Sequence, residues 1–176
     1  MITHKWPLAA ARAFATLSPH FNFVYVSGEG ATQSPSFLTP FFGRVKGDAE
    51  TSLSQLSKSY EMSRVMKKPE SRKTGSENTK SSLQCYSVRP GFVDAAGHDE
   101  IQSYIPQPHL LHAVMGVALG PIIRNFVPSM HSPTMELGKV LVQLAIREKT
   151  PDEHTQEIDV ARILNAGAIS RLASDI

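Results

Sequence analysis

A chain of 176 residues is about one domain long, and an apolar fraction of 41% is enough to bury a core. The formal charge is only +2, which gives no argument for nucleic acid or a polyanionic substrate as partner. A lone cysteine, Cys85, excludes an internal disulfide and suits a reducing compartment. The opening MITHKWPLAAARAF lacks the basic start and long apolar run of a secretory signal, so a cytoplasmic setting is expected.

Pro7 to Leu17 is alanine-rich, has Pro at a plausible first helical position and stops at Ser18-Pro19, which predicts a short helix. It leads into FVYVS, Phe23 to Ser27, a strand apolar on both sides, as in a parallel sheet covered by helices on each face. Gly28-Glu29-Gly30 follows. Gln33 stands where a third glycine would complete a phosphate loop and Pro35 blocks direct entry into a helix, so a turn allowing close backbone approach is expected. Thr39 and Pro40 then mark a helix start, and Phe42, Val45, Ala49, Leu53 and Leu56 form a stripe expected to face the sheet. Lys46 lies near that face and needs either a partner there or a route to solvent.

Residues 61 to 82 are rich in serine, lysine, arginine and glutamate, a composition that predicts a disordered insertion; a genuine surface loop and a translated intron both fit it. Its basic residues Lys67, Lys68, Arg72 and Lys73 are read as a solvated face before an acidic-partner site. Cys85 to Val88 is the next predicted strand, completing a strand–helix–strand unit, with Cys85 read as a core residue before a nucleophile. Pro90 and Gly91 break that strand at its carboxyl end, where ligands sit in open α/β sheets, and Arg89 is a candidate for a buried ion pair or a ligand contact. His98, Asp99 and Glu100, and the pair His109 and His112, match no metal-ligand spacing.

The apolar run from Ala113 to Ile123 would span roughly 16 Å as a helix, too short to cross a bilayer. A buried helix is expected, with attachment to a membrane surface as the lesser reading. Ser132-Pro133 opens a helix to Arg147, packed through Leu137, Val140, Leu141, Leu144 and Ala145. Ile158 to Leu172 suggests a short strand and a last helix.

In this order, NFVYVSGEGATQSPSFLTPFFGRVKGDAE followed by YSVRPG resembles the second half of an atypical short-chain dehydrogenase/reductase. The similarity is to the nucleoside-diphosphate-sugar-epimerase-like group that includes the Tat-interactive oxidoreductase. It implies an α/β fold, a partial Rossmann-like, doubly wound parallel sheet without its N-terminal dinucleotide-binding βαβ half, over residues 1–176 as one partial domain. It implies NAD or NADP as cofactor and a small-molecule substrate. Lys46 and Ser27 would be the catalytic residues, and Gly28, Lys46, Arg89, Pro90 and Gly91 would line the cofactor. The chain departs from the family in two positions of consequence. The family's helix carries Tyr-x-x-x-Lys, and this one reads Phe42-Gly43-Arg44-Val45-Lys46; where relatives have two serines, this chain has Ser27 and Gly28. A phenylalanine has no proton to give, so weak or no turnover is expected. A non-catalytic binding protein and a truncated gene product are the competing readings. Two strands alone would leave an open edge and an uncovered face, to be closed by an upstream segment, another chain or a second copy of this one.

Overall fold

The computed structural model describes residues 2–65, 81–94, 99–102, 104, 131–147 and 162–175. Helix α1 spans Ile2–Phe14 and encloses Pro7, so it begins five residues before the expected start. Proline forfeits only one helical bond there. The added first turn is held against the next helix, His4 Nε2 standing 2.9 Å from Ser52 Oγ.

Strand β1, His20–Val26, and strand β2, Ser82–Arg89, are longer than the apolar runs that predicted them. They pair in parallel from His20 opposite Ser82 to Val26 opposite Val88. Polar side chains extend the pairing at its amino end: His20 Nδ1 lies 2.6 Å from Ser82 Oγ, and the Ser82 amide donates to the Pro19 carbonyl. Between the strands runs α2, Phe41–Val65. Its Val45, Ala49 and Leu53 are buried as the stripe requires, but Phe42 is 52% exposed and does not face the sheet. Phe42 sits in the helix's first turn, and its ring lies over the backbone of Gly30.

The helix also continues to Val65, into the segment expected to be disordered. Glu61 Oε1 accepts from Arg162 Nη2 at 2.7 Å, a pairing that gives the extra turn a tertiary partner. The disorder expected of residues 66–80, basic cluster included, falls outside the described residues.

A third parallel strand, β5 (Ile163–Asn165), joins the free side of β2 and gives the order β1-β2-β5. A separate parallel pair is formed by β3 (Phe92–Asp94) and β4 (His131–Pro133). The short α3 covers Asp99–Gln102, α4 Thr134–Ile146, and α5 Ala166–Ser174, with Asn165 capping α5 through a 2.9 Å bond from the Ala168 amide. The strand expected near the carboxyl end is therefore present.

Alternation along the strands sends side chains into two apolar layers. Tyr86, Val88 and Leu164 pack with Leu137, Val140 and Leu144 of α4 and Ile169 and Ala173 of α5. On the opposite face Leu83 and Cys85 meet Leu53 of α2 and Ala11 and Ala15, with Phe21, Phe23 and Tyr25 alongside. Both faces of the sheet are thus covered, which corrects the expectation of a bare face; α4 and α5 supply the second layer. Ala145 is a smaller correction, since it faces solvent. Among the described residues nothing pairs with the outer edge of β1. The protein is a mixed α/β fold built on a parallel sheet. Among the described residues no helix is long and apolar enough to cross a membrane, and the run 113–123 lies outside them.

Candidate functional site

The carboxyl ends of β1 and β2 lie side by side because the strands are parallel and in full register. Beyond Val26 the ladder continues one step, the Ser27 amide donating to the Val88 carbonyl at 2.8 Å. The chain then turns. The Ala31 amide donates to the Gly28 carbonyl at 3.1 Å, and Gly30 takes a φ of +84°, a conformation that favours glycine. This is the expected turn and not a phosphate loop, since α2 starts only at Phe41. The two strand-end turns are joined: the Glu29 amide donates to the Pro90 carbonyl at 3.0 Å. Gly91 is anchored separately, its amide donating to Ser132 Oγ at 3.1 Å.

Into this corner α2 brings Lys46. Its Nζ donates to the Ser27 carbonyl at 2.5 Å, so the lysine has the partner its half-buried position demands. A Cβ placed on Gly28 would come within 3.2 Å of that ammonium, so a side chain there would press on the cation that the neighbouring Ser27 carbonyl holds. An ammonium has three donors, and one is accounted for here. Ser27 is only 3% exposed, and its hydroxyl has no partner among the described residues. A buried hydroxyl without a partner is rare in folded proteins and marks a place where a polar group is expected.

Arg89 resolves differently. Its Nε donates to Glu50 Oε1 at 2.8 Å and its Nη2 to Glu50 Oε2, a two-pronged pair with the carboxylate fully buried. Of the two roles open to Arg89 in the sequence, the described structure fills the ion pair. The hydrogen bonds it donates to Glu50 hold the guanidinium above its ordinary pKa. Burial, and behind it the Glu50 charge, raise the phenol of Tyr25, whose hydroxyl is likewise buried without a partner among the described residues. Tyr25 shares its strand face with Ser27, two residues on. Tyr86 lies on the opposite face, its hydroxyl donating to Gln84 Oε1.

Cys85 is a core residue: burial pushes its thiol up to about 12, against the lesser pull of Arg162, so it stays protonated at neutral pH. Asp99 and Glu100 are exposed on α3, and no cluster of three metal-ligating side chains occurs among the described residues. His98, His109 and His112 lie outside them.

Thus Ser27, Gly28 and Lys46 converge, Pro90 borders them through the backbone bond from Glu29, Gly91 is bonded instead to Ser132, and Arg89 turns away to Glu50. Sequence reasoning missed Glu50. The signal was there: a carboxylate four residues after Lys46 and three before the stripe residue Leu53 lies at the edge of the buried face, and a buried carboxylate needs a cation. Also missed was Arg162, which holds a φ of +43° and donates to Ser57 Oγ and Glu61. Its neighbours come from residues about a hundred positions away, and no local pattern announces them.

No family model matches the chain, and no solved structure does. Two fungal proteins are similar to it. The botcinic acid biosynthesis cluster B protein 16 of Botryotinia fuckeliana (strain B05.10) is 42% identical over 125 residues, 71% of this chain and 66% of that protein. The leucinostatins biosynthesis cluster protein T of Purpureocillium lilacinum is 31% identical over 157 residues, 88% of this chain and 54% of that protein. The chain therefore spans just under two thirds of one of these relatives and about half of the other.

Proposed function

We propose that the chain forms the nicotinamide side of an NAD(P)-binding, short-chain-dehydrogenase-like protein of partial Rossmann architecture, serving a biosynthetic route. The observation that carries the reading is the Lys46 ammonium held on the Ser27 carbonyl at the carboxyl end of a parallel strand, next to the turn after Arg89. The residues suit the ligand. Lys46 has donors to spare for ribose hydroxyls, Ser27 offers an unpartnered hydroxyl, and Gly28 leaves room for close backbone approach. The names of both relatives place those proteins in biosynthesis clusters, which supports a metabolic role for this one.

Bound cofactor would supply hydride transfer. The chain's own share is to orient the ribose through Lys46 and to donate from Ser27 to a substrate oxygen. No phenol stands at position 42 to deliver a proton, and general acid catalysis is worth about a hundred- to ten-thousand-fold, so turnover is weak. Phe42 equally favours a second reading, a binding protein that keeps the site without the chemistry.

Titrating NADH and NADPH fluorescence against the chain tests the first reading. Saturable binding that drops about ten-fold in Lys46→Met is expected, from the loss of a charge-assisted hydrogen bond; absence of binding to both cofactors removes it. Carbonyl reduction by the unmodified chain would remove the second.

A further inference from the structure

The loop between β1 and α2 rests on two glycines one helical turn apart. A Cβ on Gly43 would lie 2.4 Å from the Gly30 carbonyl oxygen, and one on Gly47 would lie 1.8 Å from the Thr32 carbonyl oxygen. Both obstacles are backbone atoms, which cannot swing aside as a side chain would. The contact is also bonded, the Thr32 amide donating to the Gly43 carbonyl at 3.2 Å. At its other end the loop is tied to the turn after Arg89 through Glu29 and Pro90. Lys46 lies on α2 between the two glycines in sequence, its ammonium on the carbonyl of Ser27 at the start of the loop, and the Ser27 hydroxyl is buried with no partner among the described residues. Gly138 in α4 is a natural control, with nothing within 4 Å of where its Cβ would be.

We infer that Gly43 and Gly47 are positioning residues for the Lys46–Ser27 corner. Their missing side chains let residues 28–32 bear directly on α2, and that seating holds the Ser27 carbonyl on the ammonium. A methyl group at 47 lifts the loop and releases Lys46. The binding consequence rests on the cofactor reading above; the release of Lys46 does not.

Limited acetylation with an amine-reactive ester, read per lysine by mass spectrometry, separates the two. In the unmodified chain and in Gly138→Ala, Lys46 reacts about ten-fold more slowly than the exposed Lys139; in Gly47→Ala that difference disappears, as one charge-assisted bond is lost. NADPH affinity falls about ten-fold in Gly47→Ala alone. Unchanged Lys46 labelling in Gly47→Ala overturns the inference, even if the variant melts earlier. Faster Lys46 labelling, with no NADPH binding by any form, upholds the clamp and removes the cofactor reading. If Gly47→Ala does not fold, Gly43→Ala, with its lesser clash, is read in its place. Hydrogen exchange on the unmodified chain is the variant-free check: the bonded amides of Glu29, Ala31 and Thr32 exchange slowly, and exchange there at the rate of an unstructured peptide overturns the clamp.

Discussion

Replacing Arg89 by methionine separates a strut from a ligand contact. Its guanidinium grips both oxygens of Glu50, whose side chain is 0% exposed against 20% for Arg89. Arg89→Met leaves a carboxylate with no solvent and no counter-ion, a loss of about 3–5 kcal/mol. For a domain stable by roughly 5–15 kcal/mol this is a large share of the total. Glu50→Gln is milder, about 1–2 kcal/mol, because the stranded cation is the partner that water can reach. Combining Arg89→Met with Glu50→Leu removes both charges and recovers most of the loss, since an apolar pair of similar volume replaces a buried ion pair at little cost. Urea unfolding of the three variants, with NADPH affinity measured in parallel below the transition, is the assay. The reasoning fails if Arg89→Met costs less than about 1 kcal/mol, or if the double variant is as unstable as the single one. It fails equally if Arg89→Met leaves stability intact while abolishing cofactor binding, because Arg89 would then be a ligand residue.

Phe42→Tyr is near-neutral for stability, since the ring is half-exposed, and raises NADPH-dependent ketone reduction by about a hundred-fold or more; unchanged turnover over a panel of ketones, with NADPH bound, shows that position 42 is not where the proton is missing. Cys85 makes stability fall in alkali. Its thiol is raised in the folded state from 9.0 to about 12, so between those values the unfolded chain releases a proton that the folded one keeps. At pH 10 the loss is about 1.4 kcal/mol, and Cys85→Ala flattens that slope; an equal slope in both chains contradicts it. At Arg162, whose φ is +43°, substitution by alanine costs more than substitution by glycine, by about 1 kcal/mol, because only glycine relieves the backbone while both lose the bonds to Ser57 and Glu61. Thermal melts ranking alanine above glycine would refute the strain argument.

Helix α2 shows what local pattern carries and where it stops. The repeat Val45, Ala49, Leu53 announced its buried face, because periodicity is a property of nearby residues. Thr39-Pro40 placed its start one residue early: the helix opens at Phe41, with the Thr39 hydroxyl accepting from the Ser36 amide and not from the helix. Its carboxyl end did not follow from composition: Glu61 is polar and reads as loop, yet Arg162, the residue before β5, arrives from 101 positions away to pair with it. Phe42 misled for a similar reason, since the stripe places it on the sheet side while the turn at Gly30 intercepts it first. β5 was faint because three residues cannot show a period, and its pairing depends on β2 being there to receive it. Within the site, Lys46 was legible as a cation obliged to find a partner, while the partner proved to be a backbone carbonyl, which no side-chain pattern encodes.

Saturation-transfer NMR of NADPH with the chain tests the central claim, that the Lys46–Ser27 corner receives the nicotinamide. Saturation should be strongest on the nicotinamide and adjoining ribose protons and should vanish in Lys46→Met while the fold persists. Equal saturation in the two chains, or transfer confined to the adenine protons, would contradict the account.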